Sequence, residues 1–138
     1  MKTRRLLGFD YGTRKIGIAT ANTLTGTSQA LVTLPFTARA PNWQALDAII
    51  QQWQPDTLVV GQPLHLDGSE STHSKACKKF AVALHGRYQT PVVMSDERLS
   101  SDQAELVLRQ GRTRSRRRVQ LRDAVAAELI LRTYLHQP

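Results

Sequence analysis

The run Arg4-Arg5-Leu6-Leu7-Gly8-Phe9-Asp10-Tyr11-Gly12-Thr13-Arg14-Lys15-Ile16-Gly17-Ile18-Ala19 holds a strand, a reversal and the start of a returning strand. Arg4 to Phe9 has a continuous apolar core, as expected of a strand buried on both faces. Asp10-Tyr11-Gly12-Thr13 reads as a turn. Ile16 and Ile18 alternate with Gly17 and Ala19, so Lys15 to Ala21 pairs back antiparallel. A carboxylate, Asp10, thus closes the first strand where the chain turns.

Beyond this hairpin the pattern changes to alternating helix and strand. Gln29 to Phe36 gives a third strand. Trp43, Leu46, Ile49, Ile50 and Trp53 share one helical face, which stops before Pro55. Thr57 to Val60 is a short apolar strand broken by Gly61-Gln62-Pro63, and the polar loop after it turns at Asp67-Gly68. Cys77, Phe80, Ala81 and Leu84 mark a second helix, and Val92 to Met94 a fifth strand. Ser100 and Gln103 form a capping-box pair for a short helix ending at Gly111. A basic loop follows, and Val119 to Leu135 makes the last helix. A meander followed by crossover units predicts an α/β fold with a five-stranded mixed sheet flanked by helices on both faces. A chain of 138 residues fits one domain, 1-138.

Three acids converge in this scheme. If strands one, four and five are parallel neighbours, their carboxyl ends are Asp10, Gly61-Gln62-Pro63 and Asp96-Glu97, all on the sheet edge where α/β proteins bind ligands. Asp123 opens the last helix and lies in line with Ala127, Ile130 and Tyr134, pointing toward the core. Small residues at Ala126 and Ala127 let that helix lie close to the sheet. Each acid has an ordinary alternative: a turn-starting Asp for Asp10, a surface pair with Arg98 for Glu97, a helix-dipole partner for Asp123. A carboxylate on a buried face is costly unless paired or bound to metal, which favours a shared site. Oxygen-only ligands suit Mg²⁺ or Mn²⁺ and in-line phosphodiester cleavage. His65, His73, His85 and His136 lack zinc-ligand spacing; His65 and His73 flank the polar loop and read as solvated. The single Cys77 forms no internal disulfide and is expected to be buried.

The chain is strongly basic, with a formal charge of +8 and an isoelectric point near 10.4. Between Leu106 and Arg122 there are seven arginines and no acid, and such a run repels itself unless a polyanion is present. Arg112, Arg114, Arg116, Arg117 and Arg118, with Arg14 and Lys15, are therefore candidate nucleic-acid contacts. No apolar run spans a membrane, and the apolar stretch after the basic N-terminus breaks at Asp10, too soon for a signal peptide. A cytoplasmic protein is expected.

Gly8-Phe9-Asp10-Tyr11-Gly12-Thr13-Arg14-Lys15-Ile16-Gly17-Ile18-Ala19 resembles the opening signature of the bacterial Holliday-junction-resolvase-like family of pre-16S rRNA nucleases. Val60-Gly61-Gln62-Pro63-Leu64 through Asp67-Gly68-Ser69, Asp96-Glu97-Arg98-Leu99-Ser100-Ser101 through Ala104-Glu105, and Asp123 through Ala126-Ala127 to Ile130-Leu131 match in the same order. The resemblance implies a ribonuclease-H-like fold and a metal-dependent nuclease with Asp10, Glu97 and Asp123 as its catalytic and metal-binding acids. It implies 5′-end maturation of the ribosomal RNA precursor, with branched DNA as the alternative substrate. A junction resolvase should be a two-fold homodimer, whereas a monomer favours RNA processing. A non-catalytic RNA-binding ribosome-assembly factor is a further alternative. An ATPase of the actin or sugar-kinase type, whose first phosphate loop also resembles Asp10 to Thr13, needs two such domains and more chain. Two departures stand out: Ala21-Asn22 replaces the family's usual Ser-Asp after the second strand, which predicts a missing acid near the site, and Gln62 replaces a commonly apolar residue.

Overall fold

Strand β1 (Arg5–Tyr11) lies at the middle of the sheet because both of its faces are apolar. It is flanked by β2 (Lys15–Asn22) and, in parallel, by β4 (Thr57–Gln62); β3 (Thr27–Pro35) and β5 (Val92–Asp96) form the edges, in the order β3-β2-β1-β4-β5. The computed structural model describes residues 4–63, 67–96 and 115–135. The expected helix between Ser100 and Gly111, together with His65, His136, Glu97, Arg112 and Arg114, lies outside them.

Alternation along the strands sorts the core into two layers. On one face Leu7, Phe9, Ile16, Ile18, Leu58 and Val60 pack under α1 (Trp43–Trp53) and α2 (Thr72–Tyr88), with Leu46, Cys77, Phe80 and Leu84 supplied by the helices. On the other, Leu6, Ala19, Ala21 and Val59 pack under α3 (Ser115–Leu135) through Ala127, Ile130 and Leu131. Each large apolar side chain removed from water in these layers contributes roughly 1.5–3 kcal/mol. The first helix starts at Asn42, whose Oδ1 accepts from Ala45 N at 3.2 Å. The second starts with a reciprocal cap in which Ser71 Oγ accepts from Ser74 N at 3.0 Å and Ser74 Oγ from Ser71 N at 2.8 Å.

Two expectations are corrected here. Asp10 and Tyr11 do not start the turn: Asp10 pairs with Gly17 and Tyr11 with Ile16, so the ladder runs to the end of β1 and the reversal is left to Gly12, Thr13 and Arg14. The last helix does not open at Asp123 either. It starts at Ser115, so Arg116, Arg117 and Arg118 are helical rather than in a loop, and Asp123 lies well inside it. Arginine is a good helix former, which is why a basic run need not break one.

Gly8 and Gly17 set how closely α3 approaches the sheet. A Cβ on Gly8 would lie 2.5 Å from Leu131 Cγ and 3.0 Å from Ala127 O, and one on Gly17 would lie 2.0 Å from Asp123 O. The helix backbone rests on the two glycines, so its height over β1 and β2 is fixed by the absence of side chains.

Candidate active site

The pairing of Asp10 with Gly17 puts the contact point of α3 directly beside Asp10. Gly17 faces α3, so the residue opposite it in the antiparallel ladder faces α3 too. The helix lowers Asp123 onto Gly17, and two carboxylates from distant parts of the chain meet over one strand pair. Lys15 precedes Gly17 by two positions and shares its face; its Nζ lies 3.0 Å from Asp123 Oδ2. The charge contact is made, but among the described residues no donor meets that buried oxygen in hydrogen-bond geometry.

This arrangement shifts the acid on β1. Burial, and secondarily the charge of Asp123, push the Asp10 carboxyl from its ordinary 3.8 up to about 6, while Lys15 pulls it the other way. A carboxyl held near neutrality beside a second acid with an unsatisfied oxygen is a ready ligand for a hard cation. The residues thus fit the divalent metal expected from the sequence. Among the described residues no group of three or more His, Cys, Asp or Glu side chains forms a metal site, and Glu97 is outside them.

The same face continues across the sheet. Gly61 and Ser95 are paired neighbours, one residue beyond the pairs Phe9–Val60 and Val60–Met94. Ser95 is buried, and its hydroxyl has no hydrogen-bond partner among the described residues. On the opposite face His73 corrects its expected place in a solvated loop: it belongs to the first turn of α2. Its Nε2 lies 2.7 Å from Tyr11 O, and its ring stacks on Tyr11 at 6.3 Å. The contact pins the end of β1 next to Asp10.

Of the candidate nucleic-acid contacts, Arg14 and Lys15 are both exposed at the β1–β2 reversal, and Lys15 reaches Asp123. Sequence reasoning missed the turn around Arg39. Phe36 N donates to Arg14 O at 2.7 Å, and the chain then turns tightly, with Thr37 and Ala40 bridged. Ala38 and Arg39 take positive φ angles of 51° and 65°, a conformation costing roughly 1–2 kcal/mol per non-glycine residue. Neither residue is a usual turn former there, so the sequence carried no signal. Asn22 also differs from expectation. It pairs with Arg5 at the far end of β2 and accepts from Leu24 N at 2.9 Å, so the acid it replaces would not stand near Asp10.

A mixed five-stranded sheet with β1, β4 and β5 parallel, its first three strands in a meander and acids on β1 and its covering helix defines the ribonuclease-H-like class. The fold agrees with two solved resolvases. Fowlpox virus resolvase, in complex with Holliday junction DNA, aligns at a TM-score of 0.60 and 11% identity, covering 96% of this chain and 99% of that one. Thermus thermophilus RuvC, in complex with its junction substrate, aligns at 0.56 and 17% identity, covering 95% and 94%. The chain belongs to the RuvX family, whose model, described as Holliday junction resolvase, matches residues 4–137. Relatives named "Putative pre-16S rRNA nuclease" include one from Chromohalobacter salexigens, 44% identical over 131 residues (95% of this chain, 88% of the relative). Another, from Saccharophagus degradans, is 40% identical over 138 residues (99% and 96%).

Proposed function

We propose that this protein is a metal-dependent nuclease that hydrolyses phosphodiester bonds in the 5′-end maturation of pre-16S ribosomal RNA in the cytoplasm, with 1-138 acting as one nuclease domain. The observation that carries the reading is the meeting of Asp10 and Asp123 over Gly17 in a chain of net charge +8. Asp10 and Asp123 would hold Mg²⁺ or Mn²⁺, and Glu97, two positions after Ser95 in the sequence, is proposed as the third carboxylate. When bound, the metal supplies the charge that orients a water and stabilises the leaving oxygen. The protein's own part is to bring the two acids together at one point of the sheet and to draw the polyanion in. Arg14, exposed in the reversal between β1 and β2, is proposed for that purpose together with Arg112, Arg114, Arg116, Arg117 and Arg118. The names of the curated relatives favour ribosomal RNA as substrate; the description of the family model favours branched DNA as a second reading.

The test is purified protein with Mn²⁺ or Mg²⁺ against a ribosomal RNA precursor fragment and a four-way DNA junction, side by side. The expected result is metal-dependent cleavage of the RNA and none of the junction. Symmetric cuts in the junction would move the assignment to resolvase. Binding of RNA without turnover under any metal would leave an assembly factor.

A further inference from the structure

Lys15 stands at the mouth of the acidic site, exposed itself but with its head against Asp123. Its ammonium is 3.0 Å from Asp123 Oδ2, and its charge also favours the ionised form of Asp10, opposing burial and Asp123. It reaches this place because β2 alternates: Lys15 and Gly17 face α3, while Ile16 and Ile18 face α1 and α2. The contact is loose. Asp123 Oδ2 gains no aligned hydrogen bond from it, and the Lys15 side chain is 46% exposed against 25% for Asp123. Among the described residues, two carboxylates stand against one ammonium, and the flexible stem of a lysine lets its head leave without disturbing the backbone.

We propose that Lys15 is a built-in counter-ion of the Asp10–Asp123 pair, holding the place of a divalent cation and yielding it when that cation binds. The inference rests on the metal reading given above. An ammonium and a divalent cation repel each other at such range and cannot both lie against the same oxygen. Displaced, the ammonium keeps three donors and lies next to the acids, where a phosphodiester oxygen is the natural acceptor. Lys15 is then a positioning residue with two states: it neutralises the acids when the site is empty of metal and meets the substrate when it is filled.

The experiment is calorimetric titration of Mn²⁺ into the full chain without nucleic acid, for the parent, Lys15→Met, Lys15→Gln and Lys15→Arg. Removing the charge is expected to tighten Mn²⁺ binding roughly three- to tenfold in the Met and Gln variants, the scale of a part-exposed charge contact. Lys15→Arg should bind like the parent. Without metal the Met and Gln variants should melt below the parent, and saturating Mn²⁺ should close that gap. Equal or weaker Mn²⁺ binding by both uncharged variants would overturn the counter-ion role while leaving the metal site standing. Absence of Mn²⁺ binding in all four proteins would overturn the metal reading and this inference together.

Discussion

Asp10 is destabilising in the state without metal. Its folded carboxyl titrates at about 6 and its unfolded one near the ordinary 3.8, so between those values the folded chain binds more protons than the unfolded chain. Stability contributed by this group is complete below pH 4 and is lost as the pH rises through 6, by about 3 kcal/mol in all. Asp10→Asn removes the titration while keeping the volume. In chelator at pH 7.5 that variant is expected to be about 2 kcal/mol more stable than the parent by urea unfolding, with the advantage vanishing near pH 4. A parent at least as stable at both pH values would contradict the burial of an ionised Asp10 carboxyl. Asp10 and Asp123 were legible as candidates in the sequence because one ends an apolar run and the other lies on a core-facing helical line. The reach of Lys15 to Asp123 was not, because an exposed lysine in a basic chain gives no sign of which carboxylate the tertiary fold brings to it. Glu97, read from the sequence alongside them, lies outside the described residues.

At the scale of elements, the site depends on how closely α3 lies on the sheet. The order and faces of the strands and of α1 and α2 were legible because period-two and helical patterns are strong there; Cys77, Phe80, Ala81 and Leu84 are all buried as read. The start of α3 was not, since a run of arginines looks like a solvated loop while its helix propensity is high. Nor was the role of Gly17, which reads as one small member of an alternating strand until the helix above it is known. Gly17→Ala would place a methyl 2.0 Å from the backbone carbonyl of Asp123. Backbone cannot rotate away as a side chain can, so the helix must shift. The expected cost is about 3 kcal/mol, the upper end for overpacking, and a displacement of about 1 Å lowers turnover roughly 100-fold. The check is to compare turnover at a temperature where the variant is fully folded by circular dichroism. Parental turnover there would mean that the height of α3 does not set the geometry of the acids.

For the whole molecule, charge sets how substrate is gathered. Each phosphate neutralised contributes about 0.7 to the slope of log affinity against log salt for a single strand. Replacing Arg116, Arg117 and Arg118 with Gln, which keeps helix propensity, is expected to reduce the slope by roughly 1 to 2 and to weaken binding of all RNA sequences alike. Three replacements at about 0.7 each set the upper limit, reached only where all three touch phosphate. An unchanged slope would relocate the binding face toward Arg14 and Arg39.

The central claim is that the Asp10–Asp123 pair is where the reacting phosphodiester is activated by metal. The most direct measurement is turnover of a ribosomal RNA precursor fragment across a Mn²⁺ titration, for the parent and for Asp10→Asn. The parent is expected to show saturable, metal-dependent cleavage and the variant a loss of at least about 100-fold at every Mn²⁺ concentration, on the scale of removing a principal electrostatic group, with the fold intact. Comparable turnover by the two proteins over the whole titration would contradict the central claim.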